Sequence, residues 1–75
     1  MSEIFPRISV DANVRFGRPV VTGTRVPVEV VLGKLAAGMD PGAVAEEYGL
    51  ARADVLAVLA YAAHSIAGEQ LRMVG

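Results

Sequence analysis

Arginines and glycines are the residues of this chain whose types and spacing come closest to a chemical site. Two arginines and two glycines stand close together in residues 17–31, which read GRPVVTGTRVPVEVV. A Walker-type phosphate loop needs four residues between its two glycines and a lysine after the second. Five residues separate Gly17 from Gly23, and Thr24 stands where the lysine would be. The stretch therefore does not match a phosphate cradle.

The same stretch favours one defined backbone shape. Gly17 and Gly23 permit positive φ, and Pro27 fixes φ at a value that suits the start of a helix. Arg18 and Arg25 are its chemically active groups, because a guanidinium pairs with phosphate or carboxylate. The alternative for both arginines is a solvated or locally paired side chain.

The remaining reactive side chains do not form a catalytic or metal-binding set. The chain has no cysteine, and His64 is its one histidine. Glu46 and Glu47 are adjacent on a predicted helix and cannot face one substrate together. Asp54 lies in the first turn of a predicted helix, where a carboxylate favours the helix dipole. We expect no enzyme activity, no cofactor, no metal and no small-molecule substrate.

Charge is distributed unevenly along the chain. The net charge is −1, which is not typical of a general nucleic-acid binder. Residues 1–26 hold four arginines against two acids, a balance of +2, and residues 27–75 hold three basic residues against six acids, a balance of −3. Any DNA contact is therefore expected mainly from the N-terminal third. The predicted DNA-binding residues are Arg7, Arg15, Arg18, Arg25 and Arg52.

The composition predicts one small domain over residues 1–75 that associates with another protein surface. Hydrophobic residues make up 53% of the 75 residues and aromatic residues only 5%. So small a core does not need that much apolar material, which favours a homodimer or an obligate partner. The N-terminus lacks a signal pattern, and no apolar run approaches the roughly 18 residues of a membrane span. We expect a cytoplasmic protein with no membrane contact.

The pattern of turn residues predicts a short β arm followed by three helices. The arm and its turn occupy residues 1–26, with strands over residues 8–10 and 19–21. The helices are predicted over about residues 27–37, 40–49 and 52–67, with residues 68–75 as a tail. Pro27 suits a first helical position, and Asp40 before Pro41 is a specific start signal. The predicted helix stops are Gly38, Gly49 and Gly68.

The third helix is predicted to turn one apolar face inward and a small-residue face outward. The predicted inner face consists of Val55, Leu56, Val58, Leu59, Ala62, Ala63 and Ile66. The predicted outer face consists of Ala53, Asp54, Ala57, Ala60, Tyr61, His64 and Ser65. Alanines allow close approach of another helix, and tyrosine is enriched at interfaces. The predicted partner-binding residues are Ala57, Tyr61, His64, Leu71 and Arg72; the alternative is a simply exposed face and a frayed terminus.

These elements predict a mostly α fold, a three-helix helix-turn-helix bundle with a short N-terminal β arm. A small three-helix domain that never binds DNA is the simpler alternative. Over residues 7–63 the sequence resembles the DUF433 family, most specifically in GRPVVTGTRV (residues 17–26) and in the later EEYGL and DVLAVLAYA segments. One departure is Ala51, where relatives often place Ser or Thr at the start of the third helix.

The resemblance implies a homeodomain-like fold and a role similar to that of VapB-type antitoxins, with a PIN-like ribonuclease toxin as partner. We therefore expect an antitoxin-like interaction module that neutralises such a toxin, with autoregulatory binding of operator DNA. The alternative is a free-standing helix-turn-helix transcriptional regulator. PIN-like nucleases resemble one another in holding Mg²⁺ with acids, so Arg72 or Arg25 is a candidate to occupy those acids.

Overall fold

A computed structural model describes the backbone of residues 2–74 and the side chains of residues 2–68. The fold is mostly helical with a small N-terminal sheet, as predicted. A 3-10 turn, Arg15–Gly17, lies between the second and third strands. The strands and helices in chain order are β1 (Ser2–Phe5), β2 (Ile8–Val10), β3 (Val20–Val21), α1 (Val28–Ala36), α2 (Pro41–Tyr48) and α3 (Arg52–Val74).

The sheet contains the predicted strand pair and one strand that was not predicted. β2 pairs antiparallel with β3, with Ile8 opposite Val21. β1 pairs antiparallel with the other edge of β2, so the strand order is β1-β2-β3. Its sequence, SEIF, is too short for an alternating pattern to indicate a strand. Because β1 is present, Phe5 packs against the hydrophobic core, a contact that the predicted two-stranded arm does not include.

The residues predicted to start the first two helices, Pro27 and Asp40 with Pro41, stand at the starts of α1 and α2. Asp40 is the N-cap of α2, its Oδ2 accepts from the Gly42 amide at 2.9 Å, and Pro41 follows at the first helical position. Pro27, predicted as the first helical residue of α1, is its N-cap, so the helix begins at Val28, one residue later than predicted. Its φ of −69° suits either position, because proline fixes φ and not ψ. Gly49 ends α2 with a φ of 67°, as predicted.

The start of α3 compensates for the missing cap at Ala51. The Ala51 amide donates to Asp54 Oδ2 at 2.9 Å, which is one half of a capping box. The other carboxylate oxygen of Asp54 accepts from Arg7 Nη1 at 2.9 Å. Asp54 therefore joins the β1–β2 turn to the first turn of α3.

The predicted stop of α3 at Gly68 is wrong, because the helix continues to Val74. A glycine inside a helix costs only about 1 kcal/mol relative to alanine. The residues that follow it, EQLRM, are all strong helix formers and outweigh that cost. The predicted tail is thus the last part of α3. The side chains of Leu71 and Arg72 lie outside the described residues, and their role stays a prediction.

The hydrophobic core lies where the sheet meets the three helices. It is built mainly from valines, whose small side chains let the elements approach closely. Its fully buried hydrophobic residues are Ile8, Val21, Val31, Val44, Val55 and Val58. Between α2 and the Arg52–Gly68 part of α3 the chain bends by 113° across a turn of three residues. Among the described residues, no single helix is long and apolar enough to cross a membrane; α2 and Arg52–Gly68 together have the length and composition of a span, but they are bent by 113°.

The predicted faces of α3 are partly wrong. Leu56, Leu59 and Ile66, predicted to face inward, are 50%, 40% and 54% exposed. Tyr61, predicted to face outward, is half-buried and packs against the core. The cause is β1, since Phe5 stands against the Tyr61 side of the helix with ring centroids 5.6 Å apart. The sheet therefore covers part of the face that was expected to bind a partner.

Candidate functional site

The turn Arg15–Gly17 is the most unusual backbone segment of the described residues. Arg15, Phe16 and Gly17 have φ values of 52°, 57° and 78°, three left-handed residues in a row. Such a conformation costs roughly 1–2 kcal/mol for each residue with a Cβ atom. Glycine adopts it freely, but arginine and phenylalanine do not. The backbone is therefore strained at two consecutive side-chain-bearing residues.

Hydrogen bonds before this turn and within it hold it in shape. Asp11 Oδ1 accepts from the Asn13 amide at 2.9 Å, which is the local turn that aspartate favours. The Val14 amide donates to the Asp11 carbonyl at 2.9 Å, and the Gly17 amide donates to the Val14 carbonyl at 3.1 Å. The DANV segment, residues 11–14, thus forms a hydrogen-bonded turn directly before the three left-handed residues.

Phe16 is almost completely exposed to solvent, at 99%. A phenylalanine left in water forgoes about 1.5–3 kcal/mol of hydrophobic stabilisation that burial would give. Phe16 carries no charge and belongs to no recognisable motif spacing, so it is not among the site residues predicted from the sequence. One signal in the sequence does point to Phe16: it is an aromatic residue in a segment of turn residues, where no predicted strand or helix would bury it.

A shallow groove of about 480 Å³ lies beside Phe16 and is lined by Arg15, Phe16, Arg18, Glu29 and Val30. Arg18 Nη1 lies 3.5 Å from Glu29 Oε1, and both side chains are more than half exposed. An exposed pair at that distance holds its members weakly. The groove thus presents an aromatic ring, two guanidinium groups, and one carboxylate that a ligand could displace from Arg18.

The five arginines predicted to bind DNA lie in different surroundings. Arg15 and Arg18 line the groove, whereas Arg7 is paired with Asp54 at 2.9 Å. Arg25 is exposed on the turn after β3, and Arg52 is exposed at the first position of α3. The structure therefore brings two of the five into one site and holds a third in a bond that supports the fold.

The predicted partner-binding residues on α3 lie largely beside the sheet. Ala57 and Tyr61 are half-buried. His64 is exposed, but its ring centroid lies 5.6 Å from that of Phe5. The contacts with Phe5 show that Tyr61 and His64 pack within the fold, and the role of Ala57, Tyr61 and His64 in partner binding stays a prediction. Among the described residues, no three His, Cys, Asp or Glu side chains come together as a group that could hold a metal ion.

The TGTRV turn between β3 and α1, residues 22–26, is closed by its own hydrogen bonds. Thr24 Oγ1 donates to the Val21 carbonyl at 2.7 Å and accepts from the Val26 amide at 3.0 Å. Gly23, with a φ of 82°, takes the left-handed position. This half of the motif is conformational, as the sequence predicts, and it fixes the start of α1, which carries Glu29 and Val30 into the groove.

Comparison with known proteins supports the resemblance found in the motif. No curated protein matches the chain. Among solved structures, the chain is similar to the X-ray crystal structure of Rv2018 from Mycobacterium tuberculosis, with a TM-score of 0.65 and 36% sequence identity. That match covers 69% of this chain and 24% of the other, so the chain spans about a quarter of that protein's length.

The family itself follows from a longer match. Residues 8–62 match the family described as "Protein of unknown function (DUF433)". This range takes in the Arg15–Gly17 turn, the closed TGTRV turn, α1, α2 and the buried half of α3. The chain therefore belongs to the DUF433 family.

Proposed function

We propose that this chain is an antitoxin-like interaction module that binds and neutralises a PIN-like ribonuclease in the cytoplasm, and that it does so through the groove at Phe16. The observation that carries the proposal is Phe16 itself, 99% exposed on a strained turn between Arg15 and Arg18. A fold gains no stability from holding an aromatic ring in that way. Strain of this kind persists where it positions a group for a function.

The chemistry of the groove fits a protein partner with an apolar pocket next to acidic side chains. Aromatic residues and arginine are the types enriched at the centres of protein interfaces. Arg15 and Arg18 flank the ring, so a carboxylate on either side of an apolar pocket would meet a guanidinium. Arginine suits this role because its planar group binds carboxylates through two hydrogen bonds and stays charged.

A PIN-like nuclease is the partner class with that surface, as the family resemblance implies. Its acids hold Mg²⁺, and guanidinium groups that pair with those acids compete with the metal. The weak bond between Arg18 and Glu29, at 3.5 Å, leaves Arg18 free to exchange one carboxylate for another. Neutralisation then follows from occupation of the acidic cleft.

The test uses a PIN-like ribonuclease that is toxic when expressed alone, and the reading frame next to the gene of this chain is the first place to look for it. We expect the intact chain to bind it and to relieve its toxicity in co-expression. Phe16→Ala should weaken binding by about 30-fold, the loss typical of an interface hot spot. Ile4→Ala is the matched control, because it truncates another large hydrophobic residue that is 46% exposed. We expect less than a threefold change for it.

Two outcomes would overturn the proposal. If the intact chain neither binds nor neutralises the nuclease, the proposed function is wrong. If Phe16→Ala binds as the intact chain does while truncation after Gly68 abolishes binding, the C-terminal part of α3, with Leu71 and Arg72, is the inhibitory segment.

Operator binding by a helix-turn-helix is the second candidate function. The three-residue turn and the 113° bend between α2 and α3 favour it, because such motifs join two helices at about 90–120°. The exposed start of α3 opposes it, since Ala53 and Leu56 follow Arg52 and cannot form hydrogen bonds with base edges. In a gel-shift series at rising salt, we expect Arg18→Ala with Arg25→Ala to weaken any complex more than Arg52→Ala. Loss of a sequence-specific complex in Arg52→Ala alone would instead identify α3 as the reading helix.

A further inference from the structure

The Phe16 ring is exposed because the backbone beneath it adopts a turn that ordinary residues avoid. Arg15 and Phe16 are left-handed, with φ values of 52° and 57°. Two such residues together disfavour this turn by roughly 30- to 700-fold in population. The turn therefore forms only because other interactions of the chain offset that cost.

The hydrogen bonds inside the turn offset only part of the cost. The Gly17 amide donates to the Val14 carbonyl at 3.1 Å, and the Arg18 amide donates to the Arg15 carbonyl at 3.1 Å. An intramolecular hydrogen bond contributes roughly 2- to 10-fold net, because the unfolded chain bonds to water instead. Two such bonds together contribute roughly 4- to 100-fold, which is less than the strain. Further support has to come from outside the turn.

The DANV segment supplies this support through one residue, Asp11. The carboxylate oxygen Oδ1 of Asp11 accepts from the Asn13 amide at 2.9 Å, and the Asp11 carbonyl accepts from the Val14 amide at 2.9 Å. Val14 in turn offers its own carbonyl to Gly17, so the two turns share a residue. They also lie against each other, since a Cβ atom at Gly17 would stand 3.9 Å from Ala12 Cα.

Asp11 is not one of the residues that line the groove beside Phe16, which are Arg15, Phe16, Arg18, Glu29 and Val30. We infer that Asp11 is a positioning residue, whose carboxylate presets the Arg15–Gly17 turn and so holds the Phe16 ring in the orientation that a partner binds. The inference rests on the proposed function for the identity of that partner, but not for the shape of the turn.

A positioning residue and a contact residue change binding rates in different ways. When only a fraction of the chains has the binding-competent turn, the apparent dissociation constant rises by the inverse of that fraction. The association rate constant falls by the same factor, whereas the complex, once formed, dissociates as before. Residues that touch a partner act mainly on the dissociation rate constant. The two rate constants therefore distinguish the two roles.

The first test measures the turn in the free chain by NMR. At positive φ the amide proton and Hα of one residue lie close together, so Phe16 should show a strong intraresidue NOE. In Asp11→Ala this NOE should weaken toward the intensity of residues with negative φ. Asp11→Asn keeps an acceptor oxygen and should restore it.

Asn13→Ala is the matched control for the NMR test, because it removes an exposed side chain but keeps the amide that donates to Asp11. It should leave the NOE of Phe16 unchanged, and circular dichroism verifies that all variants fold. An undiminished NOE in Asp11→Ala overturns the inference. The measurement needs no ribonuclease, so its outcome is separate from that of the proposed function.

The second test measures binding kinetics with the PIN-like ribonuclease. Asp11→Ala should lower the association rate constant by roughly 2- to 10-fold, the contribution of one hydrogen bond, and leave the dissociation rate constant unchanged. Asp11→Asn and Asn13→Ala should bind as the intact chain does. An unchanged association rate constant, or a loss carried by dissociation, contradicts the positioning role. If the intact chain binds no ribonuclease, the proposed function is wrong, and the NMR test alone decides whether Asp11 presets the turn.

Discussion

The closed TGTRV turn and the Arg15–Gly17 turn lie in the same motif and both use left-handed residues, yet they are built in opposite ways. In the closed turn, Gly23 takes the left-handed position and Thr24 bonds to backbone groups on both sides. In the other turn, Arg15 and Phe16 take left-handed positions and Phe16 is exposed. One turn is closed by the hydrogen bonds of its threonine around a glycine, and the other exposes an aromatic ring to solvent.

The difference separates residues that hold the fold from residues available for function. A closed turn places glycine where φ is positive and leaves no polar group unpaired, so it costs little and gives a defined start to α1. The Arg15–Gly17 turn instead places residues with a Cβ atom where φ is positive and leaves an aromatic ring in water, and both features cost stability. Places where local chemistry disagrees with stability are expected to be functional sites. The comparison therefore supports the proposal that Thr24 serves the stability of the fold and that Phe16 serves binding.

The largest expected effect tests the closed turn. Thr24→Val keeps the shape of the side chain but removes its hydroxyl, so the Val26 amide loses its acceptor. An unpaired amide that is partly buried costs about 1–3 kcal/mol in the free energy of unfolding. For a domain of this size, each kcal/mol lowers the melting temperature by about 4–8 °C. Thr24→Ser retains the hydroxyl and should change the stability by less than about 0.5 kcal/mol. Equal stability of Thr24→Val and the intact chain would remove the distinction between the two turns.

The sequence indicates the elements whose signals are local. Asp40 with Pro41, Gly49 and the β2–β3 pair are predicted correctly because each depends on a few neighbouring residues. The side of α3 that faces the core depends on β1, a four-residue strand that pairs only because β2 offers an edge. Such tertiary pairing leaves no periodic pattern in the chain.

The candidate site shows the same limit. Arg15 and Arg18 are predicted from charge, but the exposure of Phe16 follows from three consecutive φ angles that no single residue type dictates. An isolated phenylalanine in a sequence is more often part of a core than of a surface. The end of α3 illustrates the opposite error, since Gly68 is read as a stop although the helix formers after it continue the helix.

A smaller effect, opposite in sign, is expected at the open turn. Phe16→Gly removes the left-handed strain and loses no buried contact, so it should raise the free energy of unfolding by about 0.5–1 kcal/mol. Gly23→Ala is the mirror experiment in the closed turn. An added Cβ at position 23 meets no atom within 4 Å, so backbone strain at a φ of 82° is the only cost. The free energy of unfolding should fall by about 1 kcal/mol. Chemical denaturation measures both. A destabilising Phe16→Gly would mean that the ring supports the fold and is not held out for a partner.

The smallest effect concerns the two ion pairs, and it decides whether Arg18 is available to a ligand. The Arg18–Glu29 pair is exposed on both sides at 3.5 Å, whereas the Arg7–Asp54 pair is closer, at 2.9 Å, and Asp54 is only 16% exposed. Exposed pairs of long side chains contribute about 0–1 kcal/mol, because water screens the attraction and ordering the side chains costs entropy, and a pair at 3.5 Å with both side chains more than half exposed belongs at the low end of that range. A double-mutant cycle with Arg18→Ala and Glu29→Ala should therefore give a coupling energy below about 0.5 kcal/mol, and the cycle with Arg7→Ala and Asp54→Ala a value near 1 kcal/mol. A coupling energy at Arg18–Glu29 as large as that at Arg7–Asp54 would mean that Glu29 already occupies Arg18. In that case Arg15 would be left as the cation of the groove that meets a partner's acids.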